Sequence, residues 1–174
     1  GADGRGLLEV TRTDRDVDLA PLGSAAATFV RYDDLDPCWL PDGRIVFAST
    51  RFPEMAEEGG ARATNLFTVR ADGSGLARIT SDRNGAEEPS VDPVTGRIVY
   101  ARWWLNRFLP SERDSNGLTV DRARAVPSDT VDLWHALSAW TDGDGARLAG
   151  GHPRVRRETM AYQPIVLGDG TLVG

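Results

Sequence analysis

The chain has 174 residues, 40% of them hydrophobic and 26% charged, which is the size and make-up of one soluble domain. Its 20 basic residues are all arginine and its 26 acidic residues leave a net charge of -6, so the basic face that a nucleic-acid partner requires is not expected. No apolar run approaches the roughly 20 residues that span a bilayer, and an export signal, if one exists, is expected outside this sequence, which begins at Gly1.

Read in chain order, the sequence is built of two alternating units. Ala2 to Thr11 (ADGRGLLEVT) is the first copy of one unit, and it recurs as ADGSGLARIT at Ala71 to Thr80 and TDGDGARLAG at Thr141 to Gly150. The other unit appears after a long connection, Arg12 to Asp36, as PCWLPDGRIVFA at Pro37 to Ala48. It returns as PSVDPVTGRIVYA at Pro89 to Ala101 and as PIVLGDGTLVG at Pro164 to Gly174. Each unit predicts a hairpin. In the proline-led unit a short strand turns at Asp42-Gly43 or Thr95-Gly96 and leaves as RIVF or RIVY. In the other, Asn65 to Val69 is a strand, Asp72-Gly73-Ser74-Gly75 tolerates positive φ, and Leu76 to Thr80 returns. Leu133 to Trp140 has the nearest approach to helical spacing, yet its place in the repeat predicts a strand.

Two hairpins in series make a four-stranded antiparallel meander, and one such sheet cannot bury both of its faces alone. Repetition of the meander therefore predicts an all-β fold of radially packed blades, a partial β-propeller. Residues 1–11 are expected to end a preceding blade, 37–80 and 89–150 to form two complete blades, and 164–174 to begin the next. Extra length falls at Arg51 to Thr64 and in an insertion at 103–130, each between the second and third strands of its blade. A chain with this phase is a segment of a ring, and its expected partners are the remaining blades of the same propeller.

The repeat DPCWLPDGRIVFAST followed by NLFTVRADGSGLARIT resembles that of TolB-type propellers, which are related to the propellers of tricorn-like and prolyl-oligopeptidase-like proteins. More narrowly, YDDLDPCWLPDGRIVFASTR with GRIVYARWW resembles propeller segments of bacterial proteins similar to the hydrazine synthase alpha subunit, a multidomain haem protein. The resemblance implies the fold and a periplasmic or extracellular setting. It transfers no catalytic residue, because the haem-attachment pattern of two cysteines before a histidine and the Gly-x-Ser-x-Gly elbow of the hydrolases are both absent from the sequence.

In blades of this kind the long connections share one face of the disc with the residues that precede the leading prolines, Asp36, Glu88 and Gln163. With Asp33, Asp34 and Glu87 these form an acidic rim, suited either to a cation, arginine or amine or to ordering the start of each inner strand. Arg102, Trp103, Trp104 and Arg107 lead into the insertion, which also holds Phe108 and Arg113, and aromatic and arginine side chains are the usual anchors of interfaces. The tryptophans could equally pack between blades, since alternate residues of a strand face opposite ways. Trp39 reads as core, Cys38 as an inert buried thiol, and His135 as a buried, hydrogen-bonded strand residue. Asp72, Asp142 and Asp144 belong to turns, because the runs lack the alternating oxygen ligands of a calcium loop.

No catalytic, metal or cofactor motif emerges, and Cys38 with His135 and His152 is too small a donor set for a thiolate or histidine-rich metal site. The expected function is a non-catalytic scaffold that binds a protein or peptide through the face carrying the insertions, at Asp36, Glu88, Arg102, Trp103, Trp104 and Arg107. The other reading is a propeller domain of a larger extracytoplasmic enzyme, haem-dependent or hydrolytic, whose active site lies in another domain.

Overall fold

Runs of β-branched and aromatic residues broken by Asp-Gly and Thr-Gly pairs favour antiparallel pairing over any helix. The computed structural model describes residues 3, 8–11, 17–57, 60–106, 131–150 and 161–174. In the first sheet β1 (Asp34–Trp39), β2 (Arg44–Ser49), β3 (Asn65–Arg70) and β4 (Ala77–Arg78) are neighbours in sequence order, each pair antiparallel. The second sheet repeats this order with β5 (Ala86–Val91), β6 (Ile98–Asn106), β7 (Val131–Ala139) and β8 (Arg147–Leu148). A last hairpin pairs β9 (Ile165–Val166) with β10 (Leu172–Val173). The fold is thus all-β, built of four-stranded antiparallel meanders. Its helical element is a 3₁₀ segment, Ala20–Phe29, in the connection before β1; Gly23 breaks it at a φ of 56°.

Several details differ from the sequence reading. Strands β1 and β5 begin at Asp34 and Ala86, three residues ahead of Pro37 and Pro89, because the first strand of each sheet carries an irregularity at the proline and pairs on both sides of it. Trp103 and Trp104 do not open a loop. They lie in β6, paired with Trp134 and Leu133 of β7, and the strand continues to Asn106. Arg107, Phe108, Arg113 and the rest of the insertion lie outside the described residues, as does most of the segment 1–11.

The core lies between the two sheets. Val46, Ala48 and Leu66 of the first sheet meet Ile98, Tyr100 and Leu137 of the second, all buried, with Leu40, Ala86 and Ala139 in the same cluster. Alternation along β2 turns Phe47 to the opposite face, where its ring lies 6.1 Å from that of Phe67 beside Val69 and Val10. That face also explains the misreading of Trp39. Its partner across the ladder is Ile45, so its side chain is turned away from the second sheet, and 63% of it is exposed. The corresponding Val91 has a sheet in front of it and packs against the inter-sheet core.

Contacts between units repeat as the sequence does. The carbonyl of Val10 lies against Gly73, where an added Cβ would meet it at 3.0 Å, and the carbonyl of Ile79 lies against Gly143 in the same way, closer still. Both glycines have positive φ, 84° and 93°. Turn chemistry and close approach therefore demand glycine together at these two positions. The arginines that follow the hairpin turns are also equivalent: Arg44 donates to Thr68 Oγ1 at 3.3 Å, and Arg97 donates to Ser138 Oγ at 2.9 Å. Gly43 and Gly96 occupy those turns, with φ of 83° and 70°.

Phe47 is 2% exposed, so Phe47→Ala is expected to lower unfolding free energy by about 3 to 5 kcal/mol. Chemical denaturation of the full chain measures this. A loss below about 0.5 kcal/mol, the level of surface substitutions, would contradict the packing described.

Candidate functional site

Register places the β2–β3 connection and the start of β1 at one end of the first sheet, because Asp34 pairs with Ser49 and Ser49 with Asn65. The same logic puts Ala86, Arg102 and His135 near the corresponding end of the second. The long connection 51–64 then crosses to the second sheet: the amide of Ala86 donates to the carbonyl of Thr64 at 3.0 Å, and Thr64 Oγ1 donates to Glu87 at 2.9 Å.

At this end Asp36, Glu88 and Gln163 share one unusual backbone state, with φ of 53°, 54° and 52°. Left-handed geometry at a non-glycine residue costs about 1 to 3 kcal/mol, and here it recurs immediately before each of Pro37, Pro89 and Pro164. Glu88 Oε2 accepts the backbone N–H of Gln163 at 2.6 Å, which ties the second sheet to the last hairpin. Partial burial, together with repulsion from Asp36 and Glu87, raises the pKa of Glu88, although the hydrogen bond from Gln163 opposes this. The same carboxylates, Glu88 foremost, raise the pKa of the Tyr162 phenol.

Asp33 and Asp34, expected in the rim, are engaged by arginines of the long connection. Arg51 holds both oxygens of Asp34, at 2.8 and 2.6 Å, and Arg62 reaches Asp33 at 2.5 Å. The Arg51 guanidinium also lies 4.9, 5.1 and 5.4 Å from the ring centres of Tyr32, Phe47 and Phe67, so its charge is buried against aromatic faces and a carboxylate. Among the described residues, no three acidic, histidine or cysteine side chains converge on a metal position. The rim is a field of charge with strand-ordering contacts.

Arg102, Trp103 and Trp104, adjacent in sequence, part company in space. Trp103 stacks on Trp134 at 6.3 Å, and Trp134 meets the edge of Tyr162 at 5.8 Å, so Trp103 belongs to the face turned toward the last hairpin. Trp104 follows Tyr100 and Arg102 on the other face; it is 45% exposed, with the Arg102 guanidinium 4.7 Å above its ring. Trp103 is therefore engaged in ring packing, while Trp104 is left exposed.

A feature the sequence reading missed lies beside Arg102. Asp82, in the loop after β4, faces Tyr100 and Arg102 across a cleft between the two sheets. The Tyr100 hydroxyl lies on the same cleft as Asp82, and Arg102 Nη1 stands 3.9 Å from Asp82 Oδ1. Burial raises the Asp82 pKa, and the opposing pull of Arg102, the Tyr100 hydroxyl and Arg78 falls short of reversing it. Burial, with the charge of Asp82 nearby, strongly raises the pKa of Tyr100 as well. A sequence signal existed: Tyr100 stands where the preceding copy has Phe47, and Arg102 where it has Ser49. A hydroxyl and a guanidinium at repeat positions without them call for polar partners.

Elsewhere, His135 is buried in β7 opposite Arg102, and Cys38 is half-buried, its thiol pKa raised by burial and therefore away from reactivity. Asp72 and Asp142 accept backbone N–H groups two residues on, as turn residues do. No protein-family model matches the chain, and comparison with curated proteins finds no match.

Because folding raises the pKa of Asp82, the folded state binds its proton more tightly than the unfolded chain does. The stabilising contribution is complete below the ordinary carboxyl value and is lost as pH rises through the raised one. Asp82→Asn is accordingly expected to raise the melting temperature at pH 7, by a margin that shrinks as pH falls toward 4. Thermal unfolding across that range checks both sign and trend.

Proposed function

We propose that the chain is a segment of a TolB-like β-propeller, a non-catalytic scaffold that binds a protein or peptide through the face carrying its long connections. The observation that carries this reading is the exposed Trp104, braced by Arg102, at the end of the sheets where the long connection 51–64 leaves. A half-exposed tryptophan paired with arginine is the residue chemistry of interface anchors. The recurring contacts of Val10 with Gly73 and Ile79 with Gly143 support the propeller reading, since one spatial relation applied repeatedly to similar sheets generates a ring or solenoid. On that reading the partners include further blades, which would cover the exposed faces of Trp39 and of β9–β10. The extracytoplasmic setting rests on the sequence resemblance.

Trp103 serves packing in this scheme. Trp103→Ala is expected to cost about 1 kcal/mol or more of stability, whereas Trp104→Ala should stay within about 0.5 kcal/mol of the parent while weakening partner binding. Placing a photo-crosslinking amino acid at Trp104 and, separately, at Asp72 on the opposite face tests the surface in cells of the source organism. Discrete adducts from position 104 but not 72 are expected. Equal labelling from both positions, or none from 104, would remove the binding-face assignment.

A further inference from the structure

The cleft between the sheets has a chemistry separate from that of the exposed face. It is a cavity of about 310 Å³ whose apolar walls include Ile79, Leu137 and Leu148. Its polar lining includes one carboxyl group, Asp82, the Tyr100 hydroxyl, and two guanidinium groups, Arg102 of β6 and Arg147 of β8. Nearby Arg78 is paired with Glu54 at 2.8 Å, so that pair adds no net charge. Arg147 is also drawn toward Asp92, which leaves Arg102 and Asp82 as the facing charges of the cleft. The Arg102 guanidinium is 3.9 Å from Asp82, beyond a good hydrogen bond, and its Nε is buried with no acceptor among the described residues. An oxygen acceptor between Arg102 and Asp82 is what this arrangement lacks.

We infer that this inter-sheet cleft binds a small organic monocarboxylate, with its carboxylate on the Arg102 guanidinium beside Asp82 and its carbon skeleton against Ile79, Leu137 and Leu148. With Asp82 protonated, the Arg102 cation is matched by a single negative charge, and the planar fork of an arginine fits a carboxylate. A dianion such as phosphate would instead place surplus charge beside Asp82. The volume admits a molecule of a few carbons and a hydroxyl, for which Tyr100 and Asp82 offer hydrogen-bonding groups.

The site should respond to pH. Asp82 faces Tyr100 and Arg102 from β6, Arg147 from β8, Arg78 from β4 and Glu54 from the long connection. A bound anion beside it makes ionisation still less favourable, so Asp82 gains a proton as the ligand binds, and affinity rises as pH falls from neutrality toward the ordinary carboxyl range.

The test uses L-lactate as the probe on the full chain, read by thermal shift and tryptophan fluorescence at constant ionic strength with chloride as the balancing anion. A saturable effect is expected, stronger as pH falls from neutrality toward the ordinary carboxyl range. Arg102→Gln should weaken it about tenfold or more, the size of a lost charge-assisted hydrogen bond. Ala146→Leu, at an exposed residue on the cavity wall, should weaken it comparably by filling space, and it keeps the test intact if the arginine variant fails to fold. Lactate behaving as chloride does, or binding unchanged in Ala146→Leu, would overturn the inference. Tight phosphate binding without lactate binding would overturn the carboxylate assignment.

Discussion

A four-stranded sheet whose strands are apolar on both sides cannot stand alone, and the need to cover two faces organises everything described above. Val46, Ala48 and Leu66 require the face that Ile98, Tyr100 and Leu137 provide. The second sheet in turn passes its Ala136 face to the last hairpin, where Leu172 approaches Gly150. Burial of these side chains supplies the driving force, while polar contacts between units, such as Glu88 with Gln163, hold the sheets in a fixed relation.

Polar chemistry gathers where this stacking is interrupted. On the face turned back toward the first sheet, β6 carries Ile98 and Tyr100 into the core and then Arg102 and Trp104 out of it, so one row of side chains grades from buried to exposed. Asp82 enters the gap between sheets at the middle of that row. A partly buried carboxyl with a raised pKa weakens the folded state at neutral pH. The proposed binding face and the proposed anion cleft meet at Arg102, whose guanidinium spans the distance between Trp104 and Asp82.

Charge at the rim follows a different logic. Its carboxylates divide into those neutralised by the arginines of the long connection, Asp33 and Asp34, and those that repel each other near the inner strands, Asp36, Glu87 and Glu88. The first group fastens the connection to the sheet. The second includes Asp36 and Glu88, two of the three left-handed residues at which the chain turns into its leading prolines.

Sequence periodicity by itself determined the four-stranded units, their order, the turns at Gly43 and Gly96, and the connection that carries length after β2, because hairpins are local and their turn chemistry is written in adjacent residues. Repetition also identified Asp36, Glu88 and Gln163 as equivalent positions. Only the tertiary structure decided which neighbour each face would meet. Trp39 reads as core until the register turns it to a face that the second sheet does not cover; Trp103 and Trp104 read alike until β6 extends through them and strand alternation sends them to opposite sides. Asp82 was invisible for the same reason: its partners lie 18 and 20 positions away, at Tyr100 and Arg102, on another sheet, and no local pattern encodes that approach.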